Sequence, residues 1–224
     1  MGWDEWVRGA EIEPSLYAAD FRRLGEEVER MLEAGVRVFH FDIGDGHFVE
    51  PITVGPIVLQ AIAPLVHEHG ARLDCHLMVD NPERHIPQVA RAGGDSVTFH
   101  VEVGDTAELI SLAREHGLGA GVAFNPGTEP AEAARAAEAA DLVLCMSIWP
   151  GYSGQAFIPE TLERVRRLRV LLPDGVHVQV DGGVGSENAA ALREAGANLL
   201  VAGSAVFSAN DPTAAYRSLT AALT

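Results

Sequence analysis

Two histidines and two aspartates stand where apolar, strand-like runs end, and together they could hold a divalent metal ion. His40 and Asp42 are two residues apart, so a strand would place both on one face. His76 lies near the end of a second run and Asp181 ends a third. Imidazole nitrogens and carboxylate oxygens suit Zn, Fe, Mn or Co. We therefore predict one divalent metal site at these four residues, although each alone would also fit a structural role.

Glycine-rich turns follow the last three strand-like runs and could bind a phosphate. Glycine lets main-chain N–H groups approach an anion closely, and a helix N-terminus adds a favourable dipole. No arginine lies in these turns, so neutral donors would hold the phosphate. The turns contain Gly151, Tyr152, Ser153 and Gly154, then Gly182 and Gly183, then Gly203 and Ser204. Each turn alone would also fit a simple reversal of the chain.

Strand-like and helix-like segments alternate along the whole chain. Strands are predicted at 11–16, 36–42, 72–78, 95–101, 118–124, 141–147, 176–181 and 198–203. Helices are predicted at 20–34, 55–68, 82–92, 105–116, 129–139, 159–172, 186–195 and 211–223. Eight such units without a composition break predict an α/β protein, a single (β/α)₈ TIM barrel over 1–224 with an N-terminal extension at 1–10. In the extension, Trp3 and Trp6 would cover the barrel floor or contact another subunit.

In a barrel of this kind the active site lies at the carboxyl ends of the strands, where the polar residues concentrate. Ser15, Asn125 and Ser147 stand at further strand ends, as do His100 and Glu102. We expect His100 and Glu102 to contact metal ligands rather than bind the metal themselves. His47 and Phe48, in the loop after the second strand, could form a lid.

The chain is strongly acidic and contains no lysine. Its Lys+Arg total of 16, against 32 Asp+Glu, gives a net charge of −16, which argues against nucleic acid and anionic membranes as partners. The lack of lysine excludes Schiff-base aldolases, pyridoxal-phosphate enzymes and P-loop NTPases. No apolar run reaches the ~18 residues of a membrane span, and the first residues lack an apolar signal core. We therefore expect a cytoplasmic protein.

The ordered motifs of this chain resemble those of the ribulose-phosphate 3-epimerase family. They are PSLYAADF (14–21), HFDIGDGHFVEPITVGP (40–56), HLMVDNPE (76–83), FHVE (99–102), NPGT (125–128), MSIWPGYSGQ (146–155), VDGGV (180–184) and VAGSAVF (201–207). The resemblance covers about residues 11–215. It implies a (β/α)₈ barrel with one divalent metal ion and a phosphorylated ketose as substrate.

The resemblance also implies a role for each matching residue. His40, Asp42, His76 and Asp181 are the implied metal ligands, and the two aspartates are the implied acid and base, acting through an enediolate. The implied substrate-binding residues are Ser15, His76, Met78, Met146, Gly151, Tyr152, Ser153, Gly154, Asp181, Gly182, Gly183, Gly203 and Ser204. The implied activity is a carbohydrate isomerase of the ribulose 5-phosphate to xylulose 5-phosphate type, in pentose phosphate metabolism, and we expect a homo-oligomer.

Some positions depart from the family pattern and leave the substrate open. Gly44 replaces a methionine, which would open space, and Trp149 adds bulk beside the phosphate turn. Pro51 and Ser153 also lie in altered motifs. The alternatives are a 3-epimerase of another phosphoketose, such as allulose 6-phosphate or a tetrulose phosphate, a related barrel lyase or decarboxylase, and a non-catalytic phosphosugar-binding barrel.

Overall fold

Eight parallel strands form a ring in the computed structural model, which describes residues 2–7 and 9–223. The strands are β1 (Glu11–Pro14), β2 (Val38–Gly44), β3 (Arg72–Met78), β4 (Ser96–His100), β5 (Gly119–Phe124), β6 (Leu142–Met146), β7 (His177–Asp181) and β8 (Leu199–Ala202). Neighbours pair in the order β1-β8-β7-β6-β5-β4-β3-β2, and a parallel bridge between Ser15 and His40 links the two outermost strands. The predicted (β/α)₈ barrel is confirmed.

Helices alternate with the strands and cover the outside of the ring. They are α1 (Trp3–Trp6), α2 (Leu24–Ala34), α3 (Pro56–Glu68), α4 (Pro82–Ala92), α5 (Thr106–Glu115), α6 (Pro130–Ala136), α7 (Thr161–Leu171), α8 (Ala189–Ala195), α9 (Ser204–Phe207) and α10 (Pro212–Ala221). The side chains of Asp105 and Asp211 accept main-chain N–H groups at the starts of α5 and α10, which stabilises those ends. Among residues 2–7 and 9–223, none of the helices combines the length and apolar character of a transmembrane segment.

The alternation of side chains along each strand separates two apolar cores. On β2, Phe39 and Phe41 are fully buried in the large core between the ring and the helices. His40 and Asp42 point the other way, into the ring. A second apolar cluster lies inside the ring, and it includes Leu142, Leu144, Met146, Ile148 and Leu199. The interior is therefore polar beside β2 and β3 and apolar beside β6 and β8.

The N-terminal segment fills the floor of the barrel. Trp3 and Trp6 are almost fully buried, their ring centroids lie 5.1 Å apart, and both belong to the apolar cluster inside the ring. Gly119 makes room for them, because a Cβ there would lie 3.0 Å from the Trp3 Nε1 atom. Of the two placements that the sequence left open, the structure shows the barrel floor.

Element bounds differ from the predicted ones mainly at the loops that carry the site. β1 ends at Pro14 rather than at 16, because the chain turns into a 3₁₀ helix at Leu16–Ala18. The helix predicted from 20 begins with a 3₁₀ turn at Phe21–Arg23, and the α-helix starts only at Leu24. α8 starts at Ala189 rather than at 186, because the Asn188 side chain bonds to the Gly183 and Gly185 main chain and holds the preceding loop.

Candidate active site

The four predicted ligands meet at the carboxyl end of the ring. His40 Nε2 lies 3.3 Å from Asp42 Oδ1, and His76 Nδ1 lies 3.1 Å from the same oxygen. His76 Nδ1 is also 3.8 Å from Asp181 Oδ2. One donor atom from each of the four side chains lies within 4.8 Å of all the others. β2, β3 and β7 supply these donors from inward-facing positions, so the strand alternation brings the cluster together.

The donor set fits a divalent cation. His40 is fully buried, and within the described part of the chain its Nε2 atom has no hydrogen-bond partner although it faces the Asp42 carboxylate. A buried polar atom without a partner is costly unless something else satisfies it. Two nitrogen and two oxygen donors are a common set for first-row divalent metals. The residues present can therefore hold such an ion without rearrangement of the strands.

A buried hydrogen-bond network through Asp74 fixes the orientation of the His40 imidazole ring. Its Nδ1 atom lies 3.2 Å from Asp74 Oδ2, and because a carboxylate only accepts, Nδ1 carries the proton in this bond. Ser96 Oγ and Gln179 Nε2 donate to the same carboxylate at 2.7 and 2.8 Å, and Gln179 also donates to Glu13. The Nε2 lone pair of His40 is thereby directed at the four-residue cluster.

The two aspartates of the cluster have pKa values shifted in opposite directions. Burial would raise the pKa of Asp42, but His40 and His76 outweigh it and hold that pKa well below its usual range. Burial and the nearby Asp42 charge raise the pKa of Asp181 to about 7. Without a cation, the site can thus hold one ionised and one protonated carboxyl group near neutral pH, which is the state that paired acid–base chemistry needs.

A cleft opens above the cluster and is lined by most of the predicted substrate-binding residues. Both acid–base candidates reach it, and Ser15 Oγ donates a 2.6 Å hydrogen bond to Asp42 Oδ2 at its wall. The predicted residues in the lining are Ser15, Asp42, Met78, Met146, Gly151, Tyr152, Ser153, Gly154, Asp181, Gly182, Gly183, Gly203 and Ser204. His76 is fully buried beneath the cleft and does not line it.

The turn after β7 needs its glycines. A Cβ at Gly182 would lie 2.3 Å from Ile148 Cγ1, and a Cβ at Gly183 would lie 3.1 Å from the Phe157 main-chain nitrogen. Both glycines also have positive φ angles, of 112° and 61°. Ser147 donates to the carbonyl oxygens of Asp181 and Gly182 and so ties the end of β6 to this turn. The main chain of this turn thus lines the cleft without side chains in the way.

Sequence reasoning missed several residues that shape the site. Tyr17 lines the cleft beside Ser15, but a single aromatic residue in a loop carries no spacing signal. Arg164 on α7 is buried, and it donates to the carbonyl oxygens of Met146 and Asn125, which holds the ends of β5 and β6 together. Asp74 was overlooked although it stands two residues before His76 and therefore faces the same way.

The prediction that Gly44 opens space was wrong. A Cβ at this position would lie 2.9 Å from Val49 Cγ2, 3.1 Å from the Pro51 carbonyl oxygen and 3.1 Å from Thr53 Cγ2. The loop after β2 folds back and occupies the volume, fastened by a 2.7 Å bond from the Gly44 N–H to Thr53 Oγ1. Trp149, by contrast, is largely exposed beside the cleft.

Comparison with known proteins identifies close relatives. The family model described as Ribulose-phosphate 3 epimerase family matches residues 11–207. Ribulose-phosphate 3-epimerase 1 of Cupriavidus necator is 41% identical over 220 residues, covering 95% of this chain and 90% of that protein. The enzyme from Escherichia coli (strain K12) is 39% identical over 206 residues, covering 89% and 90%. A solved 3-hexulose-6-phosphate synthase superposes with a TM-score of 0.70 at 23% identity over 96% of this chain and 100% of that one, which shows the shared fold.

Proposed function

The chain belongs to the ribulose-phosphate 3-epimerase family, and on that basis we propose that it inverts carbon 3 of a phosphorylated ketose, of the ribulose 5-phosphate to xylulose 5-phosphate type. One observation carries the proposal. Asp42 and Asp181 reach a single cleft from β2 and β7, and their pKa values are shifted in opposite directions. Inversion at one carbon requires a proton acceptor and a proton donor in the same site.

The two carboxyl groups exchange a proton with carbon 3. The ionised aspartate takes the proton from one face of the substrate, which leaves a planar enediolate, and the protonated aspartate delivers a proton to the other face. The reverse reaction interchanges the two roles. Ser15 donates to Asp42 Oδ2 and holds one carboxylate oxygen, which leaves Oδ1 facing the two histidines.

His40, Asp42, His76 and Asp181 would together hold one divalent cation, with Zn, Fe, Mn and Co as the candidates. When bound, such an ion supplies Lewis-acid stabilisation of the negative charge that develops on the carbon-2 and carbon-3 oxygens. The protein's part is to fix the donor atoms: Asp74 directs the Nε2 atom of His40, and burial keeps water away from both imidazoles.

The phosphate of the substrate would bind at the glycine turns. Gly151 to Gly154, Gly182, Gly183, Gly203 and Ser204 line the same cleft as the two aspartates. Main-chain N–H groups and the hydroxyls of Ser153 and Ser204 are neutral donors, consistent with the lack of arginine in these turns. The distance between the phosphate site and the acid–base pair then selects the length of the sugar.

A substrate panel tests the proposal. Zinc-loaded protein is assayed with D-ribulose 5-phosphate, allulose 6-phosphate and a tetrulose phosphate, with the Asp181→Asn variant as the matched control. We expect D-ribulose 5-phosphate to give the highest kcat/KM and the control to be inactive with all three. A clear preference for another ketose phosphate would support the alternative epimerase suggested by Pro51, Trp149 and Ser153. Failure to turn over any of them, with metal bound, would instead indicate a phosphosugar-binding barrel.

Homo-oligomer formation, a cytoplasmic location and the absence of nucleic-acid partners remain predictions from the sequence. They do not enter the chemistry proposed here, because every residue assigned to it lies on one chain.

A further inference from the structure

A line of hydrogen bonds continues from His76 through His100 to Glu102. His76 Nε2 lies 2.9 Å from His100 Nε2, and His100 Nδ1 lies 3.2 Å from Glu102 Oε2. Both histidines are fully buried. His100 and Glu102 belong neither to the four-residue cluster nor to the lining of the cleft. His100 contacts the proposed ligand His76, and Glu102 contacts His100.

The two imidazole rings are placed for a bond in the ring plane. Their centroids are 5.0 Å apart and their planes differ by 24°. With the facing nitrogens only 2.9 Å apart, the rings meet edge to edge rather than face to face. Phe48 packs on His100 with a centroid distance of 4.6 Å. Water therefore has little room to replace either partner.

Glu102 determines which nitrogen of His100 carries the proton. The main-chain N–H of Asn125 donates to Glu102 Oε1 at 2.9 Å, and the Thr128 hydroxyl donates to the same oxygen. The other oxygen faces His100 Nδ1. Because a carboxylate only accepts hydrogen bonds, Nδ1 of His100 must be the donor.

The position of the proton on His100 in turn fixes the position of the proton on His76. A neutral His100 with its proton on Nδ1 has only a lone pair on Nε2. The facing Nε2 atom of His76 must then carry a proton. In a neutral His76 this leaves the lone pair on Nδ1, the atom that lies 3.1 Å from Asp42 Oδ1 and 3.8 Å from Asp181 Oδ2 and that would bind a cation held between these groups.

We propose that Glu102 and His100 are positioning residues that set the tautomer of His76, so that its Nδ1 atom is available as a metal ligand. The proposal rests on the proposed metal site, and it assigns to this pair a role that the chemistry at carbon 3 does not itself require. Groups that orient a ligating histidine through its second nitrogen commonly change metal affinity by about 10–100-fold when they are removed.

The sharpest test is the Glu102→Gln variant, which keeps the size of the side chain but reverses its polarity toward His100. The amide oxygen has to accept from the Asn125 N–H, so the amide NH₂ group faces His100 Nδ1. His100 then carries its proton on Nε2, His76 accepts on Nε2, and the proton of His76 moves to Nδ1. We expect Zn²⁺ affinity, measured by competition with a chromophoric chelator, to fall about 10–100-fold.

Asp105→Asn is the matched control. It also converts a carboxylate to an amide in the loop after β4. Asp105 accepts from the N–H groups of Ala107 and Glu108 at the start of α5 and does not belong to the line of bonds that ends at His76. We expect its Zn²⁺ affinity to equal that of the wild type. Thermal unfolding of both variants checks that they are folded.

A second readout is independent of metal binding. Long-range ¹H–¹⁵N spectra of the metal-free protein report which nitrogen of each histidine is protonated. We expect His100 to be protonated on Nδ1 in the wild type and on Nε2 in Glu102→Gln.

Two results would overturn the proposal: wild-type His100 protonated on Nε2, or a folded Glu102→Gln variant with wild-type Zn²⁺ affinity. If the wild type bound no Zn²⁺, the proposed metal site would be refuted. The His100 tautomer would still decide whether Glu102 and His100 determine the tautomer of His76. The two failures are therefore distinguishable.

Discussion

Gly44→Ala should destabilise the protein, because the loop after β2 already occupies the space around that residue. The added Cβ would lie 2.9 Å from Val49 Cγ2, a side-chain atom that can move, and 3.1 Å from the Pro51 carbonyl oxygen, a main-chain atom that cannot move alone. The loop is also fastened at this point, since Gly44 and Thr53 exchange two hydrogen bonds of 2.7 and 3.1 Å. Relief of the clash therefore requires the whole loop to shift.

The expected loss of stability is that of an overpacked site. Overpacking of a well-filled site typically costs about 1–3 kcal/mol. For a chain of 150–250 residues, 1 kcal/mol corresponds to roughly 2–4 °C in Tm, so we expect Tm to fall by about 2–12 °C. The assay is thermal unfolding followed by circular dichroism, together with urea unfolding to obtain the free energy.

Gly55→Ala is the matched control, because no atom lies within 4 Å of a Cβ added there and its φ of −137° is ordinary extended backbone. Gly55 is the N-cap of α3, where glycine is preferred to alanine, so we expect a loss of about 0.5–1 kcal/mol from that effect alone. Adding Val49→Ala to Gly44→Ala should recover only part of the loss, since the Pro51 carbonyl remains in the way. Equal Tm values for Gly44→Ala and Gly55→Ala would refute the packing argument.

Other perturbations follow from the same structure. Trp3→Ala should lower the free energy of unfolding by about 3–5 kcal/mol in urea titration, because the side chain is buried in the barrel floor; a loss below about 1 kcal/mol would contradict that placement. Acid should weaken the fold through Glu102: burial alone would raise its pKa, but His100, Thr128 and Asn125 lower it to about 2, from 4.5. Its contribution to stability is therefore complete above pH 4.5, is lost as pH falls toward 2, and should disappear from the pH profile of Glu102→Gln. Cys145 should resist thiol reagents until the protein unfolds, because burial raises the pKa of its thiol to about 12; rapid labelling of the native protein would oppose this.

The sequence predicted the ligand cluster because strand alternation is a local property. His40 and Asp42 are two residues apart, which fixes a shared face, and the apolar residues between and around them fix which face meets the helices. The direction of a parallel barrel then places His76 and Asp181 at the same end. Strand alternation and the position of the active site in parallel barrels are together sufficient to predict that these four residues meet.

Features that depend on long-range packing could not be predicted in this way. The space at Gly44 is set by residues five to nine positions later, after the loop has returned to the strand. The depth of His76 beneath the cleft and the buried position of Arg164 depend on how neighbouring elements meet. The placement of Trp3 required knowing that β5 offers a glycine at its inward-facing position.

The most direct test of the account is exchange of the carbon-3 hydrogen with solvent. D-Ribulose 5-phosphate is incubated in D₂O with zinc-loaded wild type, Asp42→Asn or Asp181→Asn. Formation of xylulose 5-phosphate that carries deuterium at carbon 3 is followed by NMR, with metal content measured for each protein. We expect the wild type to form deuterated xylulose 5-phosphate steadily and both variants to form it at least about 10²-fold more slowly, which is the usual scale of acid–base assistance. Formation of deuterated xylulose 5-phosphate at the wild-type rate by either variant would show that the replaced carboxyl group does not transfer the proton.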